Sequence, residues 1–122
     1  MRPNPRSLIA TAVLLVLALA AFAQSAAPAE DNVGVASWYG SDFHGRKTSN
    51  GEIYDKEKLT CAHRSYAFGT YLLVRNLDNG ASVVVRVNDR GPFAKNRIID
   101  LSEAAARIIG MIPTGTARVS LE

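Results

Sequence analysis

YLLVRNLDNGASVVVRVNDRG, residues 71–91, carries the clearest structural signal in this chain of 122 residues. Two runs rich in β-branched and apolar residues, YLLVRNL (71–77) and SVVVRVN (82–88), flank Asp78, Asn79 and Gly80. Asn-Gly between such runs marks a hairpin, because its turn needs positive φ and these residues tolerate it. Side chains alternate along a strand, so Val83, Val85 and Val87 share one face and Val84, Arg86 and Asn88 the other. Upstream, VGVASW (33–38) reads as a strand, residues 40–51 as a Gly- and Ser-rich loop, and Thr60 to His63 as a short strand. Downstream, Ser102 is an N-cap before EAAARIIG, with Glu103 in the first turn, Gly110 at the stop and Pro113 just beyond. TARVSLE (116–122) reads as a closing strand. Short strands, one helix and frequent glycine turns predict a mainly β fold, a small barrel with a helical insert.

The N-terminus has a different composition. Residues 1–23 are apolar at 16 of 23 positions and carry Arg2 and Arg6 but no acid. Together with Ala21-Phe22-Ala23 they predict a secretory signal cut after Ala23. The run from Leu8 to Ala23 is 16 residues, short of the roughly 20 a spanning helix needs. Residues 24–32 (QSAAPAEDN) read as a flexible tether and 33–122 as the folded domain. The whole chain has 14 bases and 11 acids; without Arg2 and Arg6 the balance falls to about +1. Such a domain lacks the clustered basic surface that nucleic acid requires. Cys61 is the one cysteine, so neither a disulfide nor a C-x-x-C redox pair is available, and it is read as a packing residue. Cys61, His63 and His44 lack the spacing of a zinc site, and no G-x-S-x-G elbow appears. Neither a metal nor a cofactor is predicted.

Polar residues concentrate in Asn50 to Asp55, Thr60 to His63, Asn88 to Phe93 and Ile99 to Ser102. A sugar-cleaving site needs such an inventory: a carboxyl group to protonate the glycosidic oxygen, a polar partner for oxocarbenium charge, and aromatic faces for the rings. Each residue also has a plain reading. Glu52 and Asp55 fit solvated loop acids, Asp89 a turn residue, Asp100 a helix-entry acid, His63 a hydrogen-bonded structural residue, and Trp38 and Tyr39 core aromatics.

Taken in order, the blocks Gly34-Val35-Ala36-Ser37-Trp38-Tyr39-Gly40, Thr48-Ser49-Asn50-Gly51-Glu52 with Tyr54-Asp55, Thr60 to His63, Val85 to Phe93, and Arg97 to Ser102 resemble rare lipoprotein A. That family comprises endolytic peptidoglycan transglycosylases on a double-psi β-barrel. The resemblance implies a six-stranded barrel with one or two short helices and a groove for peptidoglycan glycan strands. It further implies a preference for strands stripped of stem peptides, and cleavage of the MurNAc to GlcNAc bond. Glu52, Asp55, His63 and Asp89 match the polar residues associated with the family's site, and Asp100 resembles the acid of distantly similar barrels in cellulases and expansins. Trp38, Tyr39, Tyr54, Asn50, Asn88, Arg90 and Phe93 are the expected glycan contacts. The family's lipidated cysteine is replaced by Gln24, which implies a soluble periplasmic or secreted protein with no membrane anchor after cleavage; it is expected to be a monomer.

The implied reaction uses no water. An acid protonates the glycosidic oxygen, and a base takes the proton of the MurNAc C6 hydroxyl as it closes a 1,6-anhydro ring on C1. Glu52 or Asp89 is the expected shuttle, its pKa raised by burial, while the other, with Asp55, stabilises positive charge and His63 orients a carboxylate or holds sugar hydroxyls. The alternative is a non-catalytic, expansin-like protein that loosens glycan on the same barrel. Intact-mass measurement of the exported protein is expected to place its N-terminus at or near Gln24; an acylated N-terminus would contradict that reading.

Overall fold

Asn79 and Gly80 close the hairpin in the computed structural model, which describes residues 32–122. Gly80 takes φ +76°, and its N–H donates to the Asn76 carbonyl at 2.8 Å. The expected leader, and the tether apart from Asn32, lie outside the described residues. Asn32 already belongs to the fold, since its Oδ1 accepts from the Tyr66 hydroxyl at 3.2 Å. The elements are β1 (Val33–Trp38), β2 (Thr60–Ala62), β3 (Tyr71–Asn76), β4 (Ser82–Asp89), β5 (Arg97–Leu101), α1 (Glu103–Ile108) and β6 (Ala117–Leu121), with a 3-10 turn at Ser41–Phe43. The strands close into a barrel in the order β1-β5-β2-β4-β3-β6. β1 with β5 and β2 with β4 are parallel, and the other neighbours are antiparallel.

Alternation fills the barrel. Val83, Val85 and Val87 are buried while Val84 between them is 50% exposed. Val74, Ile99, Leu101 and Val119 join them from the other strands, and Ile109 and Met111 close one end. Each such side chain stabilises by about 1.5–3 kcal/mol relative to exposure. β5 has no pattern of its own in the sequence: RIIDL sets Ile98 beside Ile99, and only Ile99 and Leu101 turn inward. Ile98 instead covers Gly34, where an added Cβ would lie 2.7 Å from its Cγ2. The glycine therefore lets the parallel partner pack closely.

α1 is fixed at both ends by residues distant in sequence. Ser102 Oγ accepts from the Ala105 N–H at 3.3 Å as the N-cap. The Glu103 N–H donates to the Tyr54 hydroxyl at 3.2 Å and that of Ala104 to the Lys56 carbonyl at 2.9 Å. The first-turn donors that a helix leaves open are thereby met. At the other end the Asn76 and Asn79 amides donate to the Ile109 carbonyl at 2.8 and 3.0 Å, before Gly110 at φ +74°. The hairpin turn thus caps the helix.

Cys61 sits in this core with no exposure, and burial pushes its thiol up to about 12. A thiolate is the reactive form. A thiol-labelling reagent at pH 8 is therefore expected to leave the native protein unmodified and to react once per chain in denaturant; rapid native labelling would place Cys61 outside the core.

Candidate active site

Two parallel strand pairs set the site, and each carries a one-residue shift in register. In the β2–β4 pair, Cys61 faces Val87 and Ala62 faces Asp89, which leaves Asn88 as the extra residue. Strict alternation would aim Asp89 inward with Val83, Val85 and Val87. The bulge re-aims it, and Asp89 emerges half-buried at the barrel rim. In the β1–β5 pair, Val35 faces Arg97 and Ala36 faces Ile99, so Ile98 is the extra residue and Ser37 then meets Asp100.

A groove of about 520 Å³ lies where these strand ends meet, with Asp89 and Asp100 both on its wall. Trp38, Tyr39, Phe43 and Phe93 supply its aromatic lining, and Phe93 is 89% exposed. Asp89 is heavily bonded. Its Oδ2 accepts from the Tyr39 hydroxyl at 2.6 Å. Its Oδ1 accepts from the Ser49 N–H at 2.9 Å, the Ser49 hydroxyl at 2.6 Å and the Arg90 N–H at 2.9 Å. Burial works to raise its pKa, but the bonds from Ser49, Tyr39 and the two N–H groups outweigh it and leave the carboxyl below its ordinary value. Burial, reinforced by Asp89, pushes the Tyr39 hydroxyl far up, so it remains a donor. Asp100 accepts one side-chain hydrogen bond, from the Ser37 hydroxyl.

Glu52 stands apart. It lines a second cavity of about 470 Å³ with Asp55, Lys58, Thr60, Arg86 and Asn88. Arg86 grips both its oxygens at 2.7 Å, and Asn50 and Asn88 donate to it at 2.8 and 3.3 Å. The Arg86 bonds, then that of Asn50, draw its pKa from 4.5 to about 2. The expectation of a carboxyl raised by burial is thus reversed at both Glu52 and Asp89, because each is exposed enough to gather donors that favour the charged form. Glu52 pins a loop to β4: the Thr48 N–H donates to the Glu52 carbonyl at 2.7 Å and that of Asn50 to the Asn88 carbonyl at 3.2 Å. The same loop delivers Ser49 to Asp89.

The other expected residues divide. Trp38, Tyr39, Arg90 and Phe93 line the groove with Asp89 and Asp100. The Arg90 guanidinium is already committed, donating to the Tyr66 carbonyl at 2.8 Å and that of His63 at 3.3 Å while stacking over Phe68 at 3.9 Å. Tyr54 is only 3% exposed and its hydroxyl caps α1, so it offers no face to a sugar. Asn88 is 2% exposed and turns to Glu52, as does Asn50. Asp55 accepts from the Glu57 N–H at 2.9 Å, an ordinary turn contact. His63 stacks on Tyr66 at 4.0 Å, and its Nδ1 accepts from the N–H groups of Ser65 and Tyr66 at 3.2 and 3.1 Å. Burial, then the charges of Arg90 and Arg64, lower its pKa. It reaches Asp89 through the backbone, its N–H donating to the Asp89 carbonyl at 3.1 Å.

Sequence reasoning missed Ser37, Phe43, Arg46, Lys47, Ser49 and Arg97, all on the groove wall. For Ser37 the signal was the parallel register that sets it beside Asp100, which only the assignment of β5 would have shown. Among the described residues no group of three or more His, Cys, Asp or Glu is placed to hold a metal ion.

A family model described as lytic transglycolase matches residues 31–121. An endolytic peptidoglycan transglycosylase RlpA of Pseudomonas aeruginosa is 59% identical over 90 residues, covering 74% of this chain and 26% of that protein. Its counterpart in Campylobacter jejuni is 61% identical over 89 residues, 73% of this chain and 32% of that protein. The chain therefore spans about a quarter to a third of the length of these curated relatives. Among solved structures, an expansin of Clavibacter michiganensis superposes with a TM-score of 0.60 at 24% identity, over 75% of this chain and 48% of the other. That likeness concerns the fold.

Glu52 also makes acid stability a test of this geometry. Its pKa is lower folded than unfolded, so its contribution is complete above pH 4.5 and is lost as pH falls toward about 2. In chemical denaturation, Glu52→Gln is expected to be less stable than the parent at pH 7 and to show a flatter decline between pH 4.5 and 2. Parallel pH curves for the two proteins would mean that the Arg86 pair contributes nothing.

Proposed function

This chain belongs to the RlpA family of lytic transglycolases, and from that membership we propose that it cleaves peptidoglycan glycan strands endolytically. In this reading the substrate is the strand freed of stem peptides, the bond is that between MurNAc and GlcNAc, and the product ends in 1,6-anhydroMurNAc. The site acts outside the cytoplasm, on the wall. The observation that carries the proposal is the groove in which Asp89 and Asp100 stand together among aromatic faces.

The two carboxylates differ in what their partners permit. Asp89 gathers four donors, two of them backbone N–H groups on Oδ1 that can only donate, and together they favour the charged form. It is suited to remain charged and to oppose the positive charge that develops at C1. Asp100 is held by a hydroxyl, and a serine hydroxyl rotates to donate or to accept. Ser37 therefore accommodates Asp100 in either protonation state, as a proton shuttle requires.

We accordingly assign the shuttle to Asp100. Its proton passes to the glycosidic oxygen as the C1–O bond breaks, and the resulting carboxylate takes the C6 hydroxyl proton as that oxygen bonds to C1. Atoms balance without water, and the acid is regenerated. Trp38 and Phe93 offer the sugar faces. Glu52, with its pKa near 2, is ionised at neutral pH and has no proton to give. Glu52 and His63 act as positioning residues, holding the loop and backbone on either side of Asp89.

Peptide-free glycan incubated with the chain is expected to yield 1,6-anhydroMurNAc ends by mass spectrometry. Asp100→Asn is expected to lose about 10² to 10⁴ in rate, the range that general acid–base catalysis supplies, with glycan binding retained. Asp89→Asn is expected to lose about 10² to 10³, as when one electrostatic contact to the transition state is removed. Ordinary reducing ends would indicate hydrolysis, and binding without any product would favour the expansin-like alternative.

A further inference from the structure

The charge on the groove wall is unbalanced. Arg46, Lys47, Arg90 and Arg97 face only two carboxylates, Asp89 and Asp100. The second cavity is matched by contrast, with Lys58 and Arg86 against Glu52 and Asp55. Among the described residues the ion pairs are Arg86 with Glu52 and Arg107 with Glu57, so none of the groove's cations is paired. Nor do the groove's own acids neutralise them, since the side-chain and N–H donors on Asp89 and Asp100 come from Tyr39, Ser49, Ser37 and the Arg90 backbone.

The cations are not equivalent. Arg90 is held by the Tyr66 and His63 carbonyls. Arg64, outside the groove wall, is likewise spent on the backbone, its Nε donating to the Pro92 carbonyl at 2.8 Å in the loop that carries Phe93. Arg46 rests over the exposed Phe43 ring at 5.4 Å, and Lys47 is exposed beside it. Arg97 stands at the start of β5, three residues before Asp100. Three cations without anionic partners, on the wall of a groove already lined by aromatic faces, describe a receptor for a sugar that bears a negative charge. Guanidinium groups match a carboxylate with two parallel hydrogen bonds.

We infer that Arg46, Lys47 and Arg97 select the substrate by its free carboxylates: they pair with the lactyl carboxylate that MurNAc exposes once its stem peptide is removed. This rests on the peptidoglycan-cleaving reading above for the identity of the strand, and it gives the preference for peptide-free glycan a physical basis. A lactyl group in amide linkage to a peptide has no charge at that position, whereas the free acid meets an unpaired cation. The three residues act in binding and not in proton transfer.

The test compares peptide-free glycan strands with the same strands after carbodiimide coupling to ammonia, which converts each lactyl carboxylate to a neutral amide. Binding is read by calorimetry in an Asp100→Asn background so that turnover does not interfere. The Asp100→Asn protein is expected to bind the free-acid strands about tenfold or more tightly than the amidated ones, with the advantage shrinking as salt rises and the Debye length falls. Adding Arg46→Gln, Lys47→Gln and Arg97→Gln together is expected to erase the preference for free-acid over amidated strands. Equal affinity for both strands before those changes overturns the inference without needing any rim variant to fold, and a preference that survives the triple substitution overturns the assignment to these residues. The two readings fail separately. Carboxylate-dependent binding by an unsubstituted chain that makes no anhydro ends would sink the activity alone, and equal kcat/KM on both strands would sink this inference alone.

Discussion

A one-residue shift within each parallel strand pair is the constraint from which the site follows. A strand has period two, so a carboxylate at the end of a Val-rich run such as β4 should either follow the valines inward or sit one place over on the outside. Asp89 has the inward parity, and an unpaired charge there would be untenable. The extra residue Asn88 resolves the conflict by moving Asp89 to the rim while Val87 stays in the core. The same device at Ile98 brings Ser37 level with Asp100. Both carboxylates thereby reach one groove from strands that are not adjacent in the barrel. The closed barrel leaves no free edge along which these registers could slip.

Once the acids are placed, their partners determine their chemistry. Glu52 and Asp89 each gather several donors, and each is driven toward the ionised form. Asp100 has a single side-chain donor, the Ser37 hydroxyl. Identical functional groups in one small domain are thus given different surroundings, and the proposed division into an anchor, a fixed charge and a proton carrier rests on that difference. Carboxylate count alone would not have separated these roles, and neither would burial.

Much of the fold was legible in the sequence because its signals are local. Asn79-Gly80 fixed the hairpin, Ser102 and Gly110 bounded the helix, and alternating valines chose the inward face. β5 was not legible, since Ile98 and Ile99 adjoin and the outward isoleucine is needed to cover Gly34 from another strand. Within the site, Trp38, Asp89, Phe93 and Asp100 stood out by residue type and motif, and the structure gathers them into the groove. Tyr54 and Glu52 misled for a shared reason. Each has its decisive partner far along the chain, Tyr54 at Glu103 and Glu52 at Arg86, and the rule that burial raises a carboxyl fails where several donors converge. Arg46 and Lys47 lie outside every motif block, and Ser37, Ser49 and Arg97 sit inside blocks without standing out as site residues, because only their shared groove gives them meaning.

The loop from Gly40 to Tyr54 connects the two cavities. One end presents Phe43, Arg46 and Lys47 to the groove. Its middle lays Ser49 on Asp89, and its far end is fastened through Glu52 to Arg86 on β4. Asp89 follows Arg86 on that strand, so the anchor and the charge it serves share one rigid support. The loop is therefore registered against β4 at two points, and Ser49 cannot drift from Asp89 unless Glu52 leaves Arg86 or the Asn50 N–H leaves the Asn88 carbonyl. Placement on a strand gives the acids their precision, and placement on a loop leaves Arg46 and Lys47 more room to adjust. The division matches the demands of the proposed reaction, in which proton transfer is sensitive to small displacements while ionic capture of a strand is not.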